Sequence, residues 1–277
     1  MRLGLLIFLL AVFNAGVFLF PLEKNSPASV SFLDIGQGDS SLISSDGIDI
    51  LVDAGPGKSI LYELQRKLGQ NDKYIDLIII SHPHKDHYRG LEYILSHYDI
   101  GAFIWNGANS GDAGFEDILK KIDEVGIPSI NLFAGSLIKS ESINLSIIYP
   151  SREIEEKILK DNDGSLVVLA KIDNMAGLFT GDIEKNPESI LSAVNFPDID
   201  FLKVPHHGSS SSSSQGFISA VRPAVGVVSV GRNSYGLPKQ EIIERYASFG
   251  IPLYRTDKLG SITIEKKEEK LIIKSIN

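Results

Sequence analysis

The stretch Ser81-His82-Pro83-His84-Lys85-Asp86-His87 follows directly on the apolar run from Tyr74 to Ile80. It places three imidazoles and a carboxylate within six residues and uses half of the six histidines in the chain. Imidazole nitrogen and carboxylate oxygen are the donors that suit zinc and similar divalent ions. A polar turn whose histidines bond backbone carbonyls is the alternative, but so dense a group of ligands favours a metal site.

The spacing of this stretch indicates how the ligands are presented. If Ile75 to Ile80 is a buried strand, His82 and His84 project to the same side of the chain that leaves it, because side chains of an extended segment alternate. Asp86 and His87 then follow on the first turn of a helix. One loop can therefore supply ligands to two adjacent metal ions.

The His-x-His-x-Asp-His pattern after a hydrophobic strand resembles the signature loop of the metallo-β-lactamase superfamily. Asp53, at the end of the apolar run Ile50-Leu51-Val52, is similar to the superfamily's early aspartate at a strand end. Asp182, in Leu178-Phe179-Thr180-Gly181-Asp182, is similar to its metal-bridging aspartate. Four further stretches resemble the C-terminal hydrolase domain of ComEC-type competence proteins, so that the resemblance runs from about Val30 to the C-terminus: 32–40, 162–167, 202–209 and 254–257.

The resemblance implies two divalent metal ions, Zn²⁺ or Mn²⁺, and a set of ligands for them: His82, His84, Asp86, His87, Asp182 and His207. The His-x-His pair would bind the first ion, the following Asp-His pair would bind the second, and Asp182 would bridge the two. Either His206 or His207 would complete the second ion. We expect His207, because the corresponding ligand of the superfamily usually sits just before the turn that Gly208 would make.

The resemblance also implies roles for residues around the ions. Those expected to take part in catalysis are Asp86, Asp182 and His206, the last as a histidine that faces the substrate. Asp53 is expected to accept a hydrogen bond from a ligand imidazole and to fix its tautomer; a strand-end turn residue is the alternative. Asn162 and Ser165 form an Asn-x-x-Ser pattern in the region where most superfamily enzymes supply a further histidine, which is missing between His97 and His206. A site poorer in nitrogen favours manganese as much as zinc.

A loop near the substrate is expected from glycine-rich and serine-rich segments. Its candidate residues are Gly36, Gln37, Gly38, Asp39 and Ser209. Ser209 begins a run of serines that extends to Ser214. The run is either a flexible linker or the first turn of a helix whose hydroxyls and amides are available to a phosphate oxygen.

The N-terminus carries an apolar segment from Leu3 to Phe20, interrupted by Asn14 alone. Its length is at the lower edge of the roughly 17 to 25 residues that span a bilayer. We expect residues 1–21 to form an uncleaved signal anchor, with a cleaved signal peptide as the alternative, and residues 22–29 to form a linker. Because Arg2 is the positive charge before this segment, we expect an extracytoplasmic protein that is membrane-anchored or secreted.

Strand and helix patterns alternate through residues 30–277, which we expect to form the hydrolase domain. The chain is 43% hydrophobic, enough for a large core within one fold. An antiparallel meander is predicted over 30–52, and helices are predicted over 59–68, from His87 to about Ser96, and over 115–125. The predicted class is α/β, with two mixed sheets and helices outside. This arrangement resembles the αβ/βα sandwich of the metallo-β-lactamase fold, here preceded by one N-terminal hydrophobic helix.

Composition excludes several kinds of site. The absence of cysteine excludes disulfides, thiolate ligands and a cysteine nucleophile. A net charge of -8 gives no basic surface, so tight binding of nucleic acid through its phosphates is not expected. The oligomeric state is not indicated by the sequence.

The chemistry that two divalent ions support needs no protein nucleophile. Two ions about 3.5 to 4 Å apart can activate water and stabilise a developing oxyanion. The resemblance implies a phosphodiesterase or nuclease that acts on DNA or another phosphodiester, and the apolar N-terminal segment adds the expectation that it is exported. Hydrolysis of phosphorylcholine or teichoic-acid-type esters is an alternative, and a non-catalytic DNA-uptake accessory module is an alternative of another class.

Overall fold

The computed structural model describes residues 27–108, 111–154, 156–159 and 161–276, with the side chains at 156 and 157 left out. The segment 1–21, predicted to be a signal anchor or signal peptide, lies outside the described residues, as does most of the predicted linker. Among the residues described, no helix combines the length and the apolar character that crossing a bilayer requires.

The described residues form fifteen strands: β1 Ser29–Phe32, β2 Ser41–Ser45, β3 Ile48–Val52, β4 Tyr74–Ile79, β5 Asp99–Trp105, β6 Ser129–Asn131, β7 Leu137–Lys139, β8 Ile143–Tyr149, β9 Val167–Ile172, β10 Met175–Phe179, β11 Phe201–Lys203, β12 Val225–Val228, β13 Leu253–Arg255, β14 Ser261–Lys267 and β15 Lys270–Ile276. The same residues form nine α-helices: α1 Ser59–Leu68, α2 Lys85–Tyr88, α3 Leu91–Ile94, α4 Ala113–Val125, α5 Glu156–Leu159, α6 Lys185–Leu191, α7 Gln215–Val221, α8 Gln240–Ser248 and α9 Thr256–Leu259.

The strands pair into two mixed sheets. The first sheet has the order β15-β14-β1-β2-β3-β4-β5-β6 and the second has the order β13-β12-β11-β10-β9-β8-β7. In the first sheet, pairing is antiparallel from β15 to β3 and parallel from β3 to β6. In the second, it is antiparallel from β7 to β10 and parallel from β10 to β13. Each sheet therefore has a parallel half whose strands end at one edge.

Three apolar clusters show how the sheets and helices stack. One cluster lies between the sheets and includes Phe32 and Leu77 from the first sheet with Val168 and Phe201 from the second. Another covers the first sheet beneath α1, α3 and α4. A third covers the second sheet beneath α6, α7 and α8. The prediction of two mixed sheets with helices outside is confirmed.

β4 shows why the strand before the ligand loop is apolar throughout. Leu77 and Ile79 belong to the cluster between the sheets. Ile78 and Ile80 belong to the cluster beneath the helices. A strand buried on both faces reads as a continuous apolar run rather than as an alternation. The run from Tyr74 to Ile80 therefore places the ligand loop at the end of a central strand.

The predicted helices and strands agree with the structure where the hydrophobic periodicity extends over many residues. The antiparallel meander over 30–52 and the helices over 59–68 and 115–125 are present. The single helix predicted from His87 to about Ser96 is wrong, because α2 and α3 are separate. At Gly90 the chain passes the Ala54 carbonyl so closely that a Cβ would lie 1.9 Å from its oxygen. The unpredicted elements β6, β7, α5 and α9 have three or four residues each, too few to show a periodicity.

The serine run 209–214 is an ordered turn that leads into α7. The Glu188 carboxylate accepts hydrogen bonds from the amides of Ser213 and Ser214, the second at 2.7 Å. The Ser214 hydroxyl caps α7 by accepting a hydrogen bond from the Phe217 amide at 3.3 Å. The flexible-linker interpretation is therefore wrong. The amides of Ser213 and Ser214, expected to be available to a phosphate oxygen, are instead bound to Glu188.

We predict that Gly177→Ala destabilises the protein by about 1 to 3 kcal/mol, the usual effect of overpacking a core. A Cβ at Gly177 would lie 1.9 Å from the ring of Phe201. That ring is held between Phe32 and Phe179, with centroid distances of 5.7 and 5.5 Å. Urea denaturation measures the loss of unfolding free energy.

The control for this prediction is Gly216→Ala in α7. The nearest heavy atom to a Cβ at Gly216 is the Ser192 hydroxyl oxygen, at 3.6 Å. Alanine replaces glycine in a helix with a gain of up to about 1 kcal/mol. A loss at Gly177 no larger than the change at Gly216 would contradict the packing argument.

Candidate metal centre

The candidate site lies where the parallel strands of both sheets end. Asp53 follows β3 and the ligand loop follows β4 in the first sheet. Asp182 follows β10 and the pair His206-His207 follows β11 in the second sheet. The carboxyl ends of parallel strands are the usual place for a site in a sheet of this kind. The sheet order thus brings together residues that are more than a hundred positions apart.

Three neighbouring histidines each have a buried nitrogen without a partner among the described residues. The Nε2 atoms of His82, His87 and His207 are buried and have no hydrogen-bond partner within the described residues. Those of His87 and His207 lie 3.2 and 3.4 Å from Asp182 Oδ2. Buried nitrogens without partners are unfavourable unless another group binds them. Bound metal would satisfy the nitrogens of His87 and His207, which belong to one compact set of possible ligands.

The other ring nitrogen of each histidine fixes its tautomer. His207 Nδ1 lies 2.7 Å from the Ser229 carbonyl oxygen, which can only accept. His87 Nδ1 lies 2.9 Å from Asp53 Oδ2. In both rings the Nδ1 atom therefore carries the proton, which leaves a lone pair on Nε2.

Two serine hydroxyls favour the same tautomer of His82, with the proton on Nδ1. Its Nδ1 lies 3.1 Å from the Ser81 hydroxyl and 3.2 Å from the Ser165 hydroxyl. Each hydroxyl already donates its hydrogen elsewhere, Ser81 to Asp53 Oδ2 and Ser165 to the Asn162 carbonyl. Both oxygens can therefore accept from His82 Nδ1, and Nε2 is free to act as a ligand.

Four side chains form a compact set of possible ligands: Asp86, His87, Asp182 and His207. Their ligand atoms all lie within 4.8 Å of one another. Asp182 Oδ2 is close to both imidazoles, and Asp86 Oδ2 lies 3.4 Å from His207 Nε2. Two imidazoles and two carboxylates suit zinc and manganese. This cluster, buried except for the partly exposed Asp86, has the chemistry of a metal site.

His82 and His84 lie beside this set. Their ring centroids are 4.5 Å apart, and the ring of His82 is 4.2 Å from that of His87. His82 is buried, whereas His84 is partly exposed and lines a cleft. The predicted ligands of the first ion are therefore adjacent to the predicted ligands of the second.

The electrostatics of the cluster call for positive charge. Burial alone would raise the pKa of Asp182, but the neighbouring His207, His87 and Lys203 hold it well below its usual range. Burial alone would lower the pKa of His87 and His207, yet Asp182 and the other carboxylates hold both well above the usual value. Buried carboxylates need a cation nearby. A divalent ion at the Nε2 atoms would supply the positive charge that these carboxylates require.

The adjacent histidines His206 and His207 point in different directions. Both have left-handed backbone angles, with φ of 47° and 51°. Such conformations cost of order 1 to 3 kcal/mol for residues other than glycine and occur at functional sites. The turn places the side chain of His207 inside the cluster, 2% exposed, and leaves that of His206 24% exposed.

His206 is held at the rim of the cluster by Glu184. Its Nδ1 lies 3.0 Å from Glu184 Oε1, and its Nε2 lies 4.0 Å from Asp182 Oδ2. The Ser211 hydroxyl donates to the same Glu184 oxygen at 2.8 Å. His206 therefore presents one nitrogen toward the centre while the carboxylate orients the other.

The Asn-x-x-Ser pattern contacts both parts of the site. The Ser165 hydroxyl accepts a hydrogen bond from the Asp182 amide at 3.0 Å and also contacts His82. The Asn162 amide nitrogen lies 3.5 Å from the ring of His206 and 3.4 Å from Glu184 Oε1. Asn162 thus belongs to the rim and Ser165 to the buried support of the ligands.

The residues expected to form a substrate loop do not lie together: some are exposed or at the rim of the site, and others are buried behind the ligands. Gly36 is exposed and Gln37 is partly exposed, while Gly38 and Asp39 are buried. A Cβ at Gly38 would lie 2.3 Å from the Asp86 carbonyl oxygen, so this glycine packs directly behind the ligand loop. Asp39 contacts His207 and Lys203 from beneath the cluster. Ser209 lies at the rim, where its hydroxyl is 2.9 Å from that of Ser211.

Two residues of the site were missed by the sequence patterns. Glu184 follows Asp182 by two positions at the start of α6, and a carboxylate so close to a ligand was the available signal. Lys203 interrupts the otherwise apolar run from Phe201 to Val204, and a charged residue in a buried strand is rarely unpaired. Both stand out only when the neighbouring loops are seen together.

A cleft of about 520 Å³ adjoins the cluster. It reaches the site at His84, Asn162 and Glu184. Tyr149 and Ile158 contribute to its apolar walls. Carboxylates are also present in its lining, and no lysine or arginine occurs among the described residues that line it. A ligand of small to moderate size could lie there with one group at the metal centre.

Two competence proteins are similar to this chain in sequence. ComE operon protein 3 of Bacillus subtilis (strain 168) is 28% identical in an alignment of 272 residues that covers 91% of this chain and 34% of that protein. Competence protein ComA of Neisseria gonorrhoeae is 27% identical over 239 residues, with 85% of this chain and 32% of that protein covered. The chain spans about a third of the length of these relatives.

A solved structure supports the fold. The metallo-beta-lactamase fold protein YhfI from Bacillus subtilis superposes with a TM-score of 0.57 at 12% identity, covering 85% of this chain and 99% of that chain. The family model of the metallo-beta-lactamase superfamily matches residues 33–232, which include the ligand loop and the residues after β10 and β11. The resemblance drawn from the motifs is confirmed, and the chain belongs to the metallo-beta-lactamase superfamily.

Proposed function

We propose that this protein is a metal-dependent hydrolase that binds two divalent ions, zinc or manganese, and cleaves phosphodiesters. The observation that carries the proposal is the convergence of the buried, unpartnered Nε2 atoms of His87 and His207 on Asp86 and Asp182, with the ring of His82 packed against His87. The six proposed ligands are His82, His84, Asp86, His87, Asp182 and His207. A purely binding module would not need so many buried donors aimed at one region.

When bound, two ions supply an activated water and stabilise the negative charge that develops on the substrate. The chain's own residues orient the ligands and exclude water from their far side. Asp53 and the Ser229 carbonyl hold the imidazoles of His87 and His207 by their Nδ1 atoms. At the rim, Glu184 holds the ring of His206 so that its Nε2 can face a substrate oxygen.

The competence-protein relatives favour DNA as the phosphodiester. The absence of a basic lining in the cleft argues for weak contact with the rest of the nucleic acid chain. The non-catalytic accessory module proposed as an alternative does not account for the arrangement of His206 and Glu184 at the rim.

The cleft gives one reason to keep a second substrate class. Its lining includes the carboxylates of Asp161, Asp163 and Glu184 together with the ring of Tyr149. Carboxylates and aromatic faces bind quaternary ammonium groups. An ester of phosphorylcholine would place a phosphodiester near the ions and a cation in this cleft. The second candidate is therefore a phosphorylcholine or teichoic-acid-type esterase.

We also propose an extracytoplasmic location with a membrane anchor or an exported form. The proposal rests on the apolar segment from Leu3 to Phe20 in the sequence. Fractionation of cells that express the full chain, before and after removal of residues 1–27, tests it. A full-length protein that stays in the soluble cytoplasmic fraction would contradict it.

We predict that Asp182→Asn lowers turnover of bis-p-nitrophenyl phosphate by at least about 10²-fold, the loss typical of one electrostatic group removed from a reaction centre. Asp182 Oδ2 is the oxygen shared by His87 and His207. The matched control is Asp200→Asn, which removes a carboxylate paired with Lys266 before β11, at the strand end away from the site. Wild-type turnover in Asp182→Asn would overturn the two-ion proposal.

We predict that metal content separates His206 from His207. His207→Ala removes a nitrogen of the buried cluster, so the protein should hold close to one ion per chain under dilute conditions. His206→Ala should keep both ions and lose about 10- to 100-fold in turnover, as for groups that tune a metal site from outside. Elemental analysis of both variants decides it. Loss of an ion from His206→Ala alone would reverse the assignment and leave the hydrolase proposal standing.

A substrate panel separates the two phosphodiester classes. We expect the purified chain with manganese or zinc to hydrolyse bis-p-nitrophenyl phosphate and single-stranded DNA and to leave a β-lactam intact. If phosphorylcholine esters are the better substrates, Asp161→Asn should raise their KM by up to about fivefold, the effect of one exposed charge. The KM of bis-p-nitrophenyl phosphate, which has no cation, should not change. Hydrolysis of the β-lactam alone would contradict both classes.

A further inference from the structure

Lys203 is the one residue of the described metal centre that has a permanent positive charge and no role in the proposed chemistry. Its side chain is 3% exposed. It lies at the end of β11, with the backbone of Phe201 and Leu202 paired to β10 and β12 on either side. The position of its backbone is therefore fixed by two parallel neighbours, and its side chain extends into the centre.

The ammonium group of Lys203 is fully used by the protein. Nζ donates to the Gly181 carbonyl at 2.8 Å and to Asp182 Oδ1 at 3.2 Å, and it contacts Asp39 Oδ2. An ammonium has three N–H donors; here two hydrogen bonds go to Gly181 and Asp182, and the Asp39 carboxylate lies against the ammonium as an ion pair. Lys203 is thus unable to bind a substrate oxygen without giving up one of these partners. Its effect on the reaction must pass through the aspartates.

The two oxygens of Asp182 have different surroundings because of Lys203. Oδ1 faces the ammonium, whereas Oδ2 lies 3.2 Å from His87 Nε2 and 3.4 Å from His207 Nε2. The contact with Gly181 holds the backbone immediately before Asp182 at the same time. The carboxylate is therefore prevented from rotating to present Oδ1 to the cluster.

The two carboxylate oxygens of Asp39 also have different surroundings. Its Oδ2 contacts Lys203, and its Oδ1 lies 3.4 Å from His207 Nδ1, on the side of the ring opposite the free Nε2. Asp39 is also 3.8 Å from His87 Nδ1. Asp39, Asp53 and His87 place ligand atoms within 4.8 Å of one another, so Asp39 would offer a competing metal site on the Nδ1 side of His87 if it had no cation of its own.

We propose that Lys203 is a positioning residue that selects the carboxylate oxygens of the metal centre. It directs Oδ2 of Asp182 alone toward the ions and keeps Asp39 bound beneath the ligand imidazoles. This inference rests on the proposed metal-dependent function. It adds that a buried lysine, and not only the ligands, determines how the ions are held.

Positioning and simple charge neutralisation predict opposite effects of removing this lysine. If Lys203 only offsets negative charge, its loss makes the centre more negative, and divalent ions should bind more tightly. If Lys203 orients Asp182, its loss frees the carboxylate, and divalent ions should bind more weakly. Residues that orient metal ligands typically change metal affinity by 10- to 100-fold. Metal affinity in a folded variant therefore distinguishes the two roles.

The test uses the full chain and competition with a chromophoric chelator, with zinc and manganese as the probes. We expect Lys203→Met to raise the dissociation constant of the more weakly bound ion by about 10- to 100-fold. The matched control is Lys266→Met, which breaks an ion pair of 3.0 Å with Asp200. Its metal affinity should equal that of the wild type.

Lys203→Met leaves Asp39 buried without its cation and could misfold for that reason alone. A second variant therefore removes the charge of Asp39 as well. The double variant Asp39→Asn with Lys203→Met removes that charge and still leaves Asp182 Oδ1 without its partner. We expect it to unfold at a temperature close to that of the wild type in chelator and still to bind metal more weakly. Wild-type or tighter metal binding in either folded variant would overturn the positioning role. A wild-type protein that binds neither zinc nor manganese would instead contradict the proposed function itself.

Discussion

The structure depends on one electrostatic constraint, which is the burial of several carboxylates in a small volume. Asp39, Asp53 and Asp182 are each 2 to 3% exposed. Uncompensated charges in such surroundings are strongly unfavourable, so each must have a cation or a donor. Lys203 pairs with Asp39 and Asp182, and the His87 imidazole lies next to Asp53. The remaining negative charge at Asp182 Oδ2 and Asp86 is what a divalent ion would balance.

The fold meets this constraint by bringing strand ends together. The parallel halves of the two sheets end at one edge, so that loops after β3, β4, β10 and β11 converge there. Every buried imidazole then has one nitrogen bound by the scaffold and one left for a ligand. The left-handed turn at His206 and His207 is the strained part of this arrangement. That strain is tolerated because it separates a buried nitrogen from one at the rim.

Binding of the ions and contact with a substrate occupy different layers of the site. The buried layer consists of the imidazoles, Asp182 and the groups behind them. The rim consists of His84, Asn162, Glu184 and His206, three of which line or adjoin the cleft. Because Glu188 holds the serine run in place through the amides of Ser213 and Ser214, Ser211 stays within reach of Glu184. The rim is therefore held in place by hydrogen bonds, which suits a reaction that needs a fixed approach of the substrate.

The sequence by itself determined the chemistry of the ligand loop and the class of the fold. Three histidines and an aspartate after a strand that is apolar on both faces are local features, and long periodic segments such as α1 and α4 are local too. The resemblance favoured His207 over His206, but only the tertiary structure shows what separates two side chains of identical chemistry, which is a two-residue left-handed turn of the backbone. The tertiary structure also decided the place of Asp39, Glu184 and Lys203, whose partners lie on other strands. The physical reason is that composition records which groups are present, whereas burial and distance determine which of them must neutralise one another.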